Sequence, residues 1–286
     1  MALFEDILLT VDFDRTLTDP HGKIPPRNFQ AIEYFMANGG TFTVNTGRSA
    51  VTFHDYLDLI PHNAPFLMYN GSAAYDHGKL TQIKPIDLDV WGVLDTVHRL
   101  VPDLNLEVQG VDKHYLVEPH PDLVALYEAC RWQYTYATRD LDMRPFIKFS
   151  LFGTPSKPEV ANLYLRTPEE QRRFQEVEQT ILELYGDKVD VYYAAPRIID
   201  VHAKGVSKIA AARTLQTNLG KKLLVCVGDA ENDIPMLDGA DHAFCPADGR
   251  VADRYNTVCP CAEGAVGDVI YKKIPEILGI QLDITK

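Results

Sequence analysis

The chain has 286 residues, enough for about two domains and an ample core. With 46% hydrophobic and 24% charged residues it reads as an ordinary globular protein. Its 28 basic and 40 acidic residues give a net charge of -12, which argues against a nucleic-acid surface but leaves room for a small anionic ligand held in a local cationic site. No segment approaches the roughly 18 apolar residues of a membrane span, and no basic region precedes the first apolar run, so cytoplasmic residence without membrane attachment is expected. Five cysteines, with Cys259-Pro260-Cys261 lacking a second ligand pair, read as reduced thiols rather than a zinc site.

The first apolar run, residues 7–11, leads into Asp12-Phe13-Asp14-Arg15-Thr16. A carboxylate at the C-terminal end of a buried parallel strand projects into the crevice where open α/β sheets bind ligands. A helix is predicted over 25–37, with Pro25 and Pro26 in its first turn, Phe29, Ile32 and Met36 on one face, and Gly39-Gly40 ending it. Residues 41–45 form the next run and deliver Thr46-Gly47-Arg48. Ser49 is a good N-cap for a second helix reaching about residue 60. A third run, 66–69, delivers Asn70-Gly71, and residues 75–79 look like a hairpin turn. This alternation signals a parallel, doubly wound sheet.

The pattern changes after Pro85: a helix over 87–101, alternating strands over 104–108, 114–118 and 146–152, a long amphipathic helix over 167–185, and strands over 189–193 and 197–201. The doubly wound pattern resumes near His202 with a helix over 207–219. A fourth apolar run, 223–227, leads into Gly228-Asp229-Ala230-Glu231-Asn232-Asp233. A short helix from Ile234, a strand over 241–245 and a closing helix over 264–278 complete the chain. The fold class is therefore α/β, a doubly wound core in two parts, 1–84 and 197–286, around an inserted α+β domain, 85–196.

If the first and fourth strands are neighbours, Asp12, Asp14, Asp229 and Asp233 converge. Two like charges about 4 Å apart repel by roughly 4 kcal/mol at an effective dielectric near 20, so the cluster demands a cation or raised pKa values. Mg²⁺ suits such an oxygen-only donor set, and beside a carboxylate nucleophile it suggests phosphoryl transfer through an aspartyl-phosphate. Lys208 falls in the first turn of its helix, where a cation opposes the dipole, which makes sense if it faces an anion. Lys204, four residues earlier, competes for that role. Asp233 before Ile234-Pro235 also fits a plain helix N-cap.

Asp12-x-Asp14-x-Thr16, Thr46-Gly47-Arg48, Asn70-Gly71, Lys208 and Gly228-Asp229-x-x-Asn232-Asp233, in this order, resemble the signatures of the haloacid dehalogenase superfamily of phosphatases. The insert resembles the cap of its Cof-like branch. The resemblance implies that Asp12 is the nucleophile, and that Asp14 protonates the leaving alcohol and then activates water. It implies that Thr46 and Lys208 hold the phosphoryl group, and that Asp12, the Asp14 backbone carbonyl and Asp229 coordinate Mg²⁺, with Asp233 ligating directly or through water. Arg48, Asn70 with Gly71, and Asn232 would line the substrate side. Arg15 stands where the family usually has glycine, and it is expected to contact the substrate or the cap, or to narrow the entrance.

The expected activity is Mg²⁺-dependent hydrolysis of small phosphomonoesters, sugar phosphates foremost, by a monomer or homodimer, with the insert closing over the crevice and choosing the leaving group. In the insert and at its edge, residues 107–112, Lys148 and Arg197 are the expected approaches to the substrate. A phosphosugar mutase and a catalytically inactive metabolite sensor are the alternatives. His202 and His242 read as packed or surface residues, and Trp91 and Trp132 as core.

Overall fold

The computed structural model describes residues 2–102, 104–153, 168–195 and 198–282. They form two compact units: Met1–Gly47, Asp55–Thr81 and Ser207–Lys286 make the first, Arg48–His54 and Gln82–Val206 the second. Among the described residues no helix is long and apolar enough to cross a membrane.

The first unit is built on a parallel five-stranded sheet in the order Asn256–Val258, His242–Pro246, Leu223–Val227, Ile7–Val11, Thr41–Val44. Ile7–Val11 is buried along its whole length, as expected of a strand covered on both faces. From it the chain passes first to Thr41–Val44 on one side and much later to Leu223–Val227 on the other, so this strand lies at the topological switch point where such sheets bind ligands. Register fixes what meets there. Val11 pairs with both Val227 and Val44, so Asp12, Gly228 and Asn45 leave the sheet at one level. Phe66–Met68 extends this edge through a parallel bridge between Asn45 and Leu67, then turns into an antiparallel hairpin with Ala73–Asp76 and Lys79–Thr81.

Helices pack on this sheet largely where the sequence places them. Pro26–Ala37 follows Pro25, Lys208–Asn218 starts at Ser207, and Ile234–Asp238 follows Asp233. Leu8, Leu224 and Cys226 of the sheet bury against Ala212, Met236 and Leu237. The closing helix forms as Ala265–Asp268, a wider turn Val269–Lys273, and Ile274–Leu278. The helix predicted after Ser49 is absent among the described residues. Ser49 does make the bonds of a cap, Thr52 N–H donating to Ser49 Oγ (3.0 Å) and Ser49 N–H to Thr52 Oγ1 (3.2 Å), but the turn does not propagate and only a 3₁₀ turn, His54–Tyr56, follows.

The second unit has a six-stranded sheet in the order Val189–Ala195, Ile198–Ala203, Phe146–Gly153, Leu104–Gly110, His114–Val117, Tyr134–Tyr136, antiparallel except for the last pair. It runs on to Val206, past the boundary expected at residue 196, because Ile198–Ala203 pairs with both Phe146–Gly153 and Val189–Ala195. Val90–Leu100, whose first turn is capped by Asp89, and Pro168–Tyr185 supply Val93, Val97, Val177 and Ile181 to its core. Strand alternation sends Leu106, Val108, Phe149, Leu151, Ile199 and Val201 to that core, and Glu107, Gln109, Lys148, Ser150, Asp200 and His202 to the other face. The helix Pro121–Cys130 and the strand Tyr134–Tyr136 were not foreseen from the pattern.

Candidate active site

Asp12, Asp229 and Asp233 each bring a carboxylate oxygen within 4.8 Å of the others, and all three are buried. Asp12 is held by the neighbouring strand, its N–H donating to the carbonyl of Val227 at that strand's end at 2.8 Å. Asp233 reaches the cluster because Gly228 is glycine. A Cβ there would stand 2.7 Å from Asp233 Cβ. Asp233 Oδ2 accepts from the backbone N–H groups of Asp229 (3.0 Å) and Ala230 (3.2 Å), and no side-chain cap bond runs from it to the helix that follows.

Lys208 lies opposite, its ammonium 2.5 Å from Asp12 Oδ1 and 2.6 Å from Asp233 Oδ1. Ser207 caps its helix, with Ser207 Oγ accepting from Ala210 N–H at 3.2 Å, and Asn45 Nδ2 donates to the Lys208 carbonyl at 2.9 Å. Lys208 is 3% exposed, so it competes with the helix dipole only because two carboxylates face it. Lys204 is excluded from the cluster. It belongs to the second unit, half exposed and paired with Asp190 at 2.7 Å.

Burial and the charge of Asp233 push the Asp12 carboxyl well above the ordinary carboxylate range, against the pull of Lys208. The same two causes push Asp229 up to about 7, against Lys208, Arg250 and Arg15. Burial alone would lower the Lys208 ammonium, but Asp12 and Asp233 outweigh it and hold it above the usual lysine value. Lys208 thus touches two of the three carboxylates, and full ionisation of the cluster would leave two negative charges over. That surplus, presented by oxygen donors alone, fits a hard divalent cation such as Mg²⁺.

The remaining predicted residues fall as follows. Thr16 Oγ1 donates to Asp229 Oδ1 at 3.3 Å. Asp14 is exposed in the Phe13–Leu17 turn, two residues from Asp12. Thr46 is buried, its N–H on Leu67 O (2.9 Å) and its carbonyl accepting from Asn70 N–H (3.0 Å), which ties the two loops together. Gly71, at φ 95°, lets its loop lie against the Lys208 helix, where a Cβ would come 2.5 Å from Ser207 O. Asn232 is half-buried in the Glu231–Asp233 turn. Arg48 belongs to the second unit and donates to Thr52 O at 3.1 Å. In the second unit Lys148 pairs with Asp200 at 2.9 Å and Glu107 with His114 at 3.0 Å, while Arg197 lies outside the described residues.

Arg15 adopts φ 59°, ψ 12°, the left-handed region. Glycine alone takes such angles without cost, so the arginine here carries backbone strain. Sequence reasoning missed Asn45 as the residue that fixes the start of the Lys208 helix. The signal was available: a buried amide at a strand end, next to the Thr46-Gly47 loop, must find a backbone partner.

The chain belongs to the haloacid dehalogenase-like hydrolases, whose family pattern it matches over residues 9–252. Two candidate phosphatases of Buchnera aphidicola are distant relatives. That of the Schizaphis graminum symbiont is 22% identical over 233 residues, 80% of each chain, and that of the Acyrthosiphon pisum symbiont is 23% identical over 247 residues, 83% of each. Among solved structures the fold is shared with the Streptococcus mutans protein SMU.1108c (TM-score 0.76, 17% identity, 93% of this chain and 98% of that one). It is shared also with BT4131, described as a subclass IIB sugar phosphatase (TM-score 0.71, 18% identity, 95% and 98%).

Proposed function

We propose that the protein is a Mg²⁺-dependent phosphatase of small phosphorylated metabolites, sugar phosphates foremost, working through an aspartyl-phosphate on Asp12. One observation carries the reading: the buried set Asp12, Asp229, Asp233 and Lys208 at the switch point of the sheet, three carboxylates beside a single ammonium. Asp12, Asp229 and Asp233 would hold Mg²⁺ together with the Asp14 carbonyl. Bound there, the ion offsets the negative charge that a carboxylate and a phosphate ester bring together.

In this reading Lys208 and Thr46 hold the phosphoryl oxygens, and Arg48, Asn70 and Asn232 contact the ester. Asp12 Oδ attacks phosphorus as the bond to the ester oxygen breaks, and Asp14 gives its proton to the departing alkoxide. Asp14, now a carboxylate, takes a proton from the water that attacks the acyl-phosphate, and inorganic phosphate leaves with Asp12 restored. The exposure of Asp14, two residues from the nucleophile, supports a group that trades protons with substrate and water. The odd set of cysteines supports a reducing, cytoplasmic setting.

The test is a screen of sugar phosphates, phosphorylated cofactors and nucleotides with and without Mg²⁺, reading released phosphate. Turnover of small phosphomonoesters that vanishes on chelation is expected. No release from any ester with Mg²⁺ present would overturn the reading.

A further inference from the structure

We propose that His114 is a positioning residue: through the Ser49 hydroxyl it holds the turn over residues 48–52 and so fixes where Arg48 is carried. The inference rests on the proposed function, in which Arg48 contacts the phosphate ester.

The bonds run unbroken from the second sheet to that turn. His114 Nδ1 lies 3.0 Å from Glu107 Oε1 and 2.5 Å from the Tyr127 hydroxyl, and His114 Nε2 lies 2.7 Å from Ser49 Oγ. Ser49 Oγ accepts from Thr52 N–H at 3.0 Å, and Arg48 Nη1 donates to Thr52 O at 3.1 Å. With Nδ1–H turned toward Glu107, Nε2 is left to accept from the Ser49 hydroxyl, so the carboxylate sets the tautomer that the turn requires. Glu107, in turn, is held below its ordinary pKa: burial opposes this, but His114, Tyr127 and Lys148 outweigh it.

Packing alone does not account for the arrangement. Ser49, His114, Glu107 and Tyr127 are 1%, 0%, 3% and 1% exposed, and polar groups buried to this extent are costly unless each is satisfied. The opposite face of the same sheet is apolar and needs no such network. The polar chain also ends away from the sheet, on a segment 65 residues distant in sequence that follows directly on Thr46-Gly47.

The two nitrogens can be tested apart. The amide of His114→Asn falls near the Nδ1 position and keeps a donor for Glu107 but cannot reach Ser49, whereas that of His114→Gln falls near Nε2. With a phosphate ester that the unaltered protein hydrolyses, His114→Asn and Ser49→Ala should raise KM about tenfold with kcat within about twofold, and His114→Gln and Ser49→Thr should restore most of it. In an Arg48→Ala background His114→Asn should add less than about twofold, because the effect passes through Arg48. Limited trypsin digestion gives a readout independent of turnover: cleavage after Arg48 should accelerate in His114→Asn and not in His114→Gln. Unchanged KM in His114→Asn, a full effect without Arg48, or unchanged cleavage would each overturn the inference. If the unaltered protein hydrolyses no ester, the functional reading fails, and cleavage after Arg48 still decides whether His114 holds the turn.

Discussion

Both units bury charge, and they balance it differently. In the first, Asp12, Asp229 and Asp233 cluster beside one lysine, which touches Asp12 and Asp233, and burial with mutual repulsion pushes Asp12 and Asp229 toward protonation. In the second, Lys148 meets Asp200 at 2.9 Å, and Ser150 Oγ donates to the other Asp200 oxygen at 2.6 Å. A balanced buried set holds a scaffold in one arrangement, whereas an unbalanced one is a place kept ready for a charged visitor. Substitutions in the two sets should therefore separate activity from stability.

The largest effect belongs to the unbalanced set. Asp12→Asn removes the nucleophile and should lower kcat by about 10⁴-fold or more in a phosphate-release assay. It also removes repulsion, so without divalent ions the variant should melt no lower than its parent by calorimetry. A clear loss of stability would assign Asp12 to the scaffold instead.

The balanced set should respond the other way. Asp200→Ala leaves Lys148 buried without its carboxylate and should cost about 3 to 5 kcal/mol in urea unfolding. A cost near that of an ordinary surface change would show the pair to be unimportant to the second unit.

His202, fully buried beside this set, sharpens the contrast through pH. Burial and Lys148 push its pKa down to about 3, against Asp200 and Asp190. In the unfolded chain it takes a proton near pH 6.5, so its contribution to stability is present above that pH and is lost as the pH falls toward 3. Between about pH 7 and pH 5 the loss through His202 should be about 2 kcal/mol. His202→Gln should flatten that part of the stability profile, and an equally steep profile in the variant would assign the dependence to other groups.

Arg15→Gly should have the smallest effect. It relieves a left-handed arginine and should stabilise the first unit by about 1 kcal/mol in thermal melts. Destabilisation would mean that the Arg15 side chain contributes more than its backbone strain costs.

The same contrast governs what the sequence reveals. Asp12, Asp229, Asp233 and Lys208 were legible because each follows an apolar strand or opens a helix, and parallel register carries the strand ends to one edge. The alternation of Glu107, Gln109, Lys148 and Ser150 with apolar neighbours was equally visible and gave the second sheet. What stayed hidden depends on partners remote in the chain. Ser49 keeps the cap bond its sequence position suggests, from Thr52 N–H, but nothing local shows that the turn stops there with His114 on the same hydroxyl. The left-handed backbone of Arg15 is set by the turn Phe13–Leu17 and cannot be read from the residue itself. Three-residue strands such as Tyr134–Tyr136 and Asn256–Val258 are too short for any periodicity to register.

The central claim is that Asp12 carries the phosphoryl group between substrate and water. Acid-quenching the Mg²⁺-loaded protein during turnover of a ³²P-labelled sugar phosphate, then mapping the label by peptide, tests it most directly. The account predicts acid-stable, base-labile phosphate on the peptide containing Asp12 and none in Asp12→Asn. Turnover with that peptide unlabelled, or with the label on another residue, would contradict it.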